Sequence, residues 1–147
     1  MSTLTRRINI ISRCAASYRT AHSTEGLPGI YHGYVFAICR NPGWSQEKLS
    51  RHLCINKSNI TRHLAWLEKN GYIERRTSEK DKRELLVYPT EKMTASLADV
   101  TDVSREWNAL LTEGIGEEEL AAFESVLVRL SDRARDLLYA GGGADNG

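Results

Sequence analysis

A run of opposite charges offers the clearest binding chemistry in this 147-residue chain. Residues 75–83 hold five basic and two acidic side chains, and two runs suited to β-strands flank them. Guanidinium and ammonium groups bind phosphate oxygens through charge-assisted hydrogen bonds. The run therefore predicts an anion-binding tip on a hairpin, although charges of this kind also serve simply to keep an exposed hairpin soluble.

A predicted helix just before this hairpin carries a second set of polar groups. Its buried face is predicted to hold Ile60, Leu64 and Leu67, spaced by four and three residues. The candidate binding residues at its leading end are Lys57, Ser58, Asn59, Thr61 and Arg62. In a major groove, Arg62 could fork onto guanine and Asn59 could read adenine, while the hydroxyls could bind phosphate or a base edge. A solvated helix face has the same composition.

Two helices with recognisable caps must position these groups. Ser45 is a predicted N-cap for a helix ending near Leu53, and Asn56 caps a second helix that reaches Asn70. Gly71 supplies the left-handed residue that ends the second helix. Two capped helices separated by two residues indicate a helix-turn-helix.

The hairpin that follows is then a wing, with predicted strands at residues 72–76 and 84–88. Its candidate DNA-binding residues are Arg76, Lys80, Asp81, Lys82 and Arg83. The two lysines are expected to attract phosphate, and Arg83 is expected to probe the narrow, negative minor groove. An acidic residue is out of place there unless it orients an arginine, so Asp81 is expected to pair with Arg75 or Arg76.

Long amphipathic segments lie on both sides of this region. Apolar residues follow helical spacing from Leu4 to a helix end near His22, and again in a long helix capped by Thr90 and a last helix after residues 114–116. These stripes exceed the core that a small winged domain needs, and pairing with a second copy would bury them. Folding back on the same chain is the alternative. The predicted organisation is a winged domain at 30–89, a helical dimerisation region at 4–24 and 90–140, and a disordered tail at 141–147.

Composition excludes several classes of protein. The chain has no run approaching the roughly 18 apolar residues of a membrane span. Three cysteines without a paired pattern and the lack of a signal-peptide core predict a cytoplasmic protein. Residues 40–92 carry twelve Lys or Arg and seven Asp or Glu, a net charge of +5, whereas the remainder carries −4. A basic middle between acidic ends indicates a localised anion-binding surface.

The order of these segments resembles the multiple-antibiotic-resistance regulator (MarR) family of bacterial winged-helix regulators. The most specific match is the wing signature, present as Asp81, Arg83, Val87 and Thr90, and LEKNGYIERR (67–76) and TEKM (90–93) are also similar. Pro89 stands where the family usually has leucine, and it should end the second wing strand.

This resemblance implies a mainly α fold, with a β-hairpin wing on a helix-turn-helix and an all-helical dimerisation region. It also implies a homodimer that binds double-stranded DNA at a pseudo-palindromic operator, as a repressor released by a small aromatic ligand. The residues expected to line a ligand site are Tyr18, Tyr31, His32, Tyr34 and Trp107.

Other functions remain as alternatives. A thiol-based redox sensor would use Cys14, which otherwise is predicted to be a small buried residue. A metal-responsive regulator would need ligands such as His52, Cys54 and His63, whose spacing is not that of a tight site, so no metal or cofactor is expected. A winged helix can also bind protein, but that role would not need a basic helix face and wing tip. No catalytic motif is present, so the chain is not expected to be an enzyme.

Overall fold

Helices form most of the protein in the computed structural model, which describes residues 3–140. The elements are α1 (Thr3–His22), α2 (His32–Arg40), α3 (Gln46–Leu53), α4 (Lys57–Lys69), β1 (Ile73–Thr77), β2 (Leu85–Pro89), α5 (Glu91–Leu111) and α6 (Glu117–Tyr139). A 3-10 turn, Gly29–Tyr31, precedes α2. The predicted fold class, mainly α with a hairpin wing after a helix-turn-helix, is confirmed. The tail predicted at 141–147 lies outside the described residues.

The two predicted N-caps of the helix-turn-helix are made by side chains. The Ser45 hydroxyl accepts a hydrogen bond from Lys48 N at 3.1 Å, and Asn56 Oδ1 accepts one from Asn59 N at 2.8 Å. Cys54, between α3 and α4, has φ 53°, in the left-handed region that most side chains avoid. The short turn thus carries local strain that neither cap revealed.

The end of α4 moves the wing one residue beyond its predicted position. Tyr72 N donates to Leu67 O at 2.8 Å and Gly71 N donates to Glu68 O at 3.1 Å, which together form a Schellman motif. Gly71 has φ 80°, as predicted. Because Tyr72 belongs to this cap, the hairpin begins at Ile73, which pairs with Pro89. Strand β2 ends at this proline, as expected.

The segment before α3 lies alongside strand β2. Gly43 N donates to Val87 O at 2.8 Å, and Val87 N donates to Trp44 O at 2.9 Å. An isolated bridge also joins Ser45 to Leu86. Backbone hydrogen bonds therefore anchor the base of the wing to the start of α3.

A single core lies beneath the wing and α4. It includes Tyr34, Val35 and Ile38 of α2, Leu49 of α3, Ile60, Leu64 and Leu67 of α4, Val87 of β2, and Met93 and Val100 of α5, all at most 1% exposed. The start of α5 therefore contributes to the same core as α4. The 3-10 turn packs tightly on α1, since a Cβ on Gly29 would lie 2.1 Å from Ala16 O.

The chain divides into two compact units, one ending at Asn108 and the other beginning at Ala109. In the first unit, α1 buries only Ala15 and leaves Leu4, Ile8, Ile10 and Ile11 exposed. In the second, α6 has no buried residue. Among the described residues, no helix is both long and apolar enough to span a bilayer.

Candidate nucleic-acid interface

Helix α4 presents the predicted polar face to solvent. Its apolar residues Ile60, Leu64 and Leu67 are 0–1% exposed, so the rotation of the helix is fixed by the core. Lys57, Ser58, Thr61 and Arg62 are all exposed on the other side, and Asn59 is half-buried at the margin. The face that the sequence assigned to binding is thus accessible.

Hydrogen bonds within the protein occupy part of this face. Arg62 donates to Asn59 Oδ1, so these two side chains present one joint amide and guanidinium surface. The Ser58 hydroxyl donates to Asn56 Oδ1 at 3.0 Å. The Thr61 hydroxyl donates to Lys57 O at 2.8 Å and accepts from Gln46 Nε2 at 3.1 Å. The Thr61 hydroxyl is therefore already engaged inside the protein.

The expected partner of Asp81 was wrong. Asp81 Oδ1 accepts from Arg83 Nε at 3.3 Å and from Arg83 N at 3.0 Å, and it does not pair with Arg75 or Arg76. Two residues of separation suit an Asx turn, in which an aspartate bonds the backbone just after it. The Arg83 side chain is nevertheless 92% exposed. Asp81 therefore orients Arg83 while leaving it open to a ligand.

The wing tip is an ordered turn built on a buried serine. The Ser78 hydroxyl accepts from Lys80 N at 3.3 Å and from Asp81 N at 3.4 Å. Ser78 N donates to Glu84 O, and Glu84 N donates to Asp81 O, each at 2.9 Å. Sequence reasoning missed Ser78, although a serine at the start of a charged turn is a recognised turn former. Its hydrogen bonds fix the backbone that carries the exposed Lys80 and Lys82.

The two strand arginines are held in different ways. Arg75 donates to both carboxylate oxygens of Glu68, at 3.0 and 3.2 Å, and to Gln46 Oε1 at 3.3 Å. The hydrogen bonds from Arg75 lower the pKa of Glu68. Arg76 lies on the solvent side, 3.0 Å from Glu74 and 4.5 Å above the Tyr88 ring. Sequence reasoning missed Gln46 and Glu68, because neither stands near Arg75 in the chain.

The aromatic residues expected to line a ligand site lie in separate places. Tyr31 stacks on Trp66 with ring centroids 4.3 Å apart, and the Tyr34 hydroxyl is 2.8 Å from His63 Nδ1. Tyr18 and Trp107 have centroids 5.1 Å apart, on α1 and α5. Tyr31 and Tyr34 are buried and serve the packing between α2 and α4.

Two buried polar atoms near His32 have no hydrogen-bond partner within residues 3–140. They are His32 Nδ1 and Arg19 Nε. His32 Nε2 donates to Leu27 O at 3.2 Å, which leaves Nδ1 as an unused acceptor in the neutral ring. Burial lowers the pKa of His32, and the nearby Arg19 lowers it further. Sequence reasoning found His32 but missed Arg19, which only the fold brings close.

One cysteine differs from its predicted environment. Cys14 is exposed, so its interpretation as a small buried residue is wrong for this chain. Cys39 is half-buried beside the core, and burial raises the pKa of its thiol. Within the described part of the chain, no group of three or more His, Cys, Asp or Glu side chains converges as metal ligands.

Comparisons with known proteins agree on one family. Residues 34–85 match the model of the MarR family. A Thauera aromatica protein named for transcriptional regulation of the hcr operon is 30% identical over 113 residues, which cover 76% of this chain and 68% of that protein.

Two solved structures from Listeria monocytogenes share the fold over the whole chain. One is a SlyA-like transcription regulator with a TM-score of 0.89, and the other is a MarR family regulator in complex with a 26mer DNA, with a TM-score of 0.85. Each is 28% identical, and each alignment covers 100% of this chain and 99% of that one.

Proposed function

This chain belongs to the MarR family of transcriptional regulators, and we propose that it binds double-stranded DNA through α4 and the wing. The observation that carries the proposal is a polar, exposed α4 face followed by an ordered wing tip with three exposed cations, Lys80, Lys82 and Arg83. The Listeria regulator solved with DNA supports it. Members of the family are transcriptional regulators, so the prediction that the chain is not an enzyme is confirmed.

In this proposal α4 and the wing tip have different tasks. Helix α4 enters the major groove with Lys57, Ser58 and the joined Asn59 and Arg62, and Arg62 forks onto a guanine edge. The wing tip contacts phosphates or the minor groove of the same half-site, where Arg83 meets the negative potential. Arg76 contacts the DNA backbone from strand β1. Affinity then comes largely from the cations, and sequence preference comes from α4.

We also propose that a second copy of the chain covers the apolar faces of α1 and α6. Helix α1 has four arginines and no acidic residue, whereas the first eight residues of α6 hold four glutamates, at positions 117, 118, 119 and 124. Opposite charges beside exposed apolar stripes favour pairing of such helices. The resulting homodimer would place two copies of α4 on the half-sites of a pseudo-palindrome, as a repressor does.

The effector site that fits the proposal best lies at Arg19 and His32. Arg19 Nε offers a buried hydrogen-bond donor and His32 Nδ1 offers a buried acceptor. A ligand with an anionic oxygen and a hydroxyl, such as an aromatic hydroxy acid, would satisfy both atoms. Tyr18, next to Arg19, and Trp107 would supply ring contacts. The effector would release the protein from DNA.

Selection from a random duplex pool tests DNA binding, followed by titration of the winning sequence at several salt concentrations. We expect an inverted repeat, with a steep salt dependence because bound cations displace counterions. Arg83→Ala should weaken binding and lower the salt slope by about one, whereas Arg62→Ala should relax base preference. Arg105→Ala is the matched control, since Arg105 is also exposed and lies 3.8 Å from an aspartate, Asp102. Equal effects of Arg83→Ala and Arg105→Ala would contradict the proposed interface.

Release by an effector is tested with 4-hydroxybenzoate and with benzoate, which lacks the hydroxyl donor. We expect 4-hydroxybenzoate to dissociate the DNA complex at lower concentration. Arg19→Met should weaken the response to both acids, because the buried Nε donor to the shared carboxylate is lost. Identical responses of the parent protein and this variant would remove Arg19 from the effector site.

A further inference from the structure

Three side chains from three elements meet on the inner side of the wing. They are Gln46 of α3, Glu68 of α4 and Arg75 of β1, which we call the wing clamp. Arg75 donates two hydrogen bonds to Glu68 and a third to Gln46. The Gln46 amide then reaches Thr61, whose hydroxyl is bonded to Lys57 O. The path starts on α4, crosses the wing and α3, and returns to α4.

The chemistry of the neighbours fixes the orientation of the Gln46 amide. A guanidinium group can only donate, so the amide oxygen must face Arg75. The amide nitrogen then faces Thr61, whose own proton is given to Lys57 O. Each contact in the path has one compatible arrangement, so the path favours one position of β1 relative to α4.

Burial separates the wing clamp from the other ion pairs of the wing. The Arg75 side chain is 18% exposed, compared with 62% for Arg76 and 92% for Arg83. Arg75 is half-buried, although its partner Glu68 is 41% exposed. A bidentate pair with one half-buried partner is screened less and is more directional than a pair in which both partners are exposed. Arg75 pairs across the hairpin with the buried Val87, whereas Arg76 faces solvent. Arg75 is therefore suited to positioning the wing, whereas Arg76 and Arg83 are suited to contacting DNA.

We propose that the wing clamp sets the position of the wing tip relative to α4, so that Arg83 reaches the DNA while α4 occupies the major groove. Gln46, Glu68 and Arg75 are positioning residues in this inference, and they need not touch DNA. The inference rests on the proposed function. A fixed wing raises affinity because its position is set before binding, so the hairpin loses less conformational freedom on contact with DNA. Without the wing clamp, the hairpin stays folded but Arg83 samples many positions.

The experiment measures how much Arg83→Ala weakens DNA binding in different backgrounds. The backgrounds are the parent protein, Glu68→Gln, Gln46→Ala and the control Glu74→Gln, which removes an equally short ion pair on the solvent side. We expect Arg83→Ala to cost about tenfold in affinity in the parent and in Glu74→Gln, and about twofold or less in the two clamp variants. The penalty of Arg62→Ala should be the same in all four backgrounds, since α4 is held by the core.

Hydrogen exchange on the DNA-free proteins separates this inference from the proposed function. We expect faster exchange of wing amides in Glu68→Gln and Gln46→Ala and unchanged exchange in α4. An unchanged Arg83→Ala penalty in both clamp variants, or unchanged wing exchange, would overturn the inference. If neither arginine substitution weakened binding in the parent, the proposed interface would fail, and the exchange data would still decide whether the clamp holds the wing. Thermal unfolding checks that each variant is folded, and Gln46→Ala replaces Glu68→Gln if the latter is not.

Discussion

Helices α4 and α6 have similar apolar stripes but opposite environments. In α4, Ile60, Leu64 and Leu67 are fully covered by the core of the first unit. In α6, Phe123 is 54% exposed and Leu137 is 74% exposed, and none of its residues is buried. Apolar periodicity thus identifies which face of a helix avoids water, but it does not identify what covers that face.

The exposed apolar face of α6 is large enough to contribute substantially to stability if another surface covers it. Covering one Leu or Phe side chain contributes about 1.5–3 kcal/mol. The exposed large apolar residues of α6 are Phe123, Val126, Leu127, Val128, Leu137 and Leu138. At about 100° per residue, all of these except Val128 lie on one side of the helix. An uncovered apolar face of this kind marks an interaction surface. The contrast between α4 and α6 therefore separates a helix that stabilises the fold from one that we propose stabilises the assembly.

The largest effect is expected from a cavity in the α4 core. Leu64→Ala should lower the free energy of unfolding by about 2–5 kcal/mol, because Leu64 is fully buried and its neighbours cannot close the gap. Urea unfolding measures the change. Ala65→Ser, one residue along on the exposed side of α4, is the control and should change stability by less than about 0.5 kcal/mol. Similar losses for both variants would remove the contrast between the two faces of α4.

A substitution on α6 should act on assembly instead. If a second copy covers α6, Phe123→Ala should weaken dimerisation by about 2 kcal/mol, or roughly 30-fold in Kd. Analytical ultracentrifugation over a range of concentrations measures this change. Asp132→Asn, on the opposite and exposed side of α6, is the control and should have a much smaller effect. A dimer as tight as the parent would mean that α6 stays open to solvent and that the dimer forms elsewhere.

Lowering the pH should reduce the stability of the first unit, because two of its histidines are buried or half-buried. Burial lowers the pKa of both His32 and His63 below the ordinary value, and Arg62 lowers that of His63 further. The unfolded chain therefore binds more protons below about pH 6.5. Stability should be full above that pH, fall as the pH drops below it, and stop falling below the folded pKa values.

Urea unfolding at pH 7.5 and pH 5.5 measures this loss. His63→Asn keeps a polar partner for the Tyr34 hydroxyl but cannot titrate, so the loss between the two pH values should be smaller in this variant. Cys39 and Tyr34, whose pKa values burial raises, remain protonated throughout this range. An equal loss in the variant would exclude His63 as a source of the pH dependence.

The smallest effect is expected in the turn before α4. Cys54 has φ 53°, and glycine adopts this conformation without the clash of a Cβ. Cys54→Gly should therefore raise stability by up to about 1 kcal/mol, reduced by the greater freedom of glycine in the unfolded chain. Cys54→Ala, which keeps the Cβ, is the control and should not gain stability.

Local sequence signals placed most of the secondary structure. The caps at Ser45 and Asn56, the left-handed Gly71 and the buried face of α4 depend on interactions within a few residues, and all of these were predicted. The wing was displaced by one residue, because the Schellman motif after α4 takes up Tyr72 before the strand begins. Errors of this size arise where two local motifs compete for one residue.

The candidate site was predicted in part. Exposure of the polar α4 face and of the wing cations follows from the helical and strand periods, which the sequence displays directly. The hydrogen bond between Gln46 and Thr61 joins residues 15 positions apart, so helical and strand periodicity could not predict it. Of the five aromatic residues assigned to a ligand site, Tyr31 and Tyr34 are used in the core, where they contact Trp66 and His63 of α4.

The sequence by itself therefore determined the helix ends, the apolar faces, the presence of a wing and the resemblance to the family. Tertiary structure alone decided which charged and polar groups on different elements meet. It placed Arg75 beside Glu68 and Gln46, and it left Arg19 and His32 with buried unpaired atoms, whereas the pairing of Arg83 with Asp81 is a local turn. The physical reason is one of range. Caps and periods act over three or four residues, whereas an arginine can reach any carboxylate that the finished fold brings within a few ångströms.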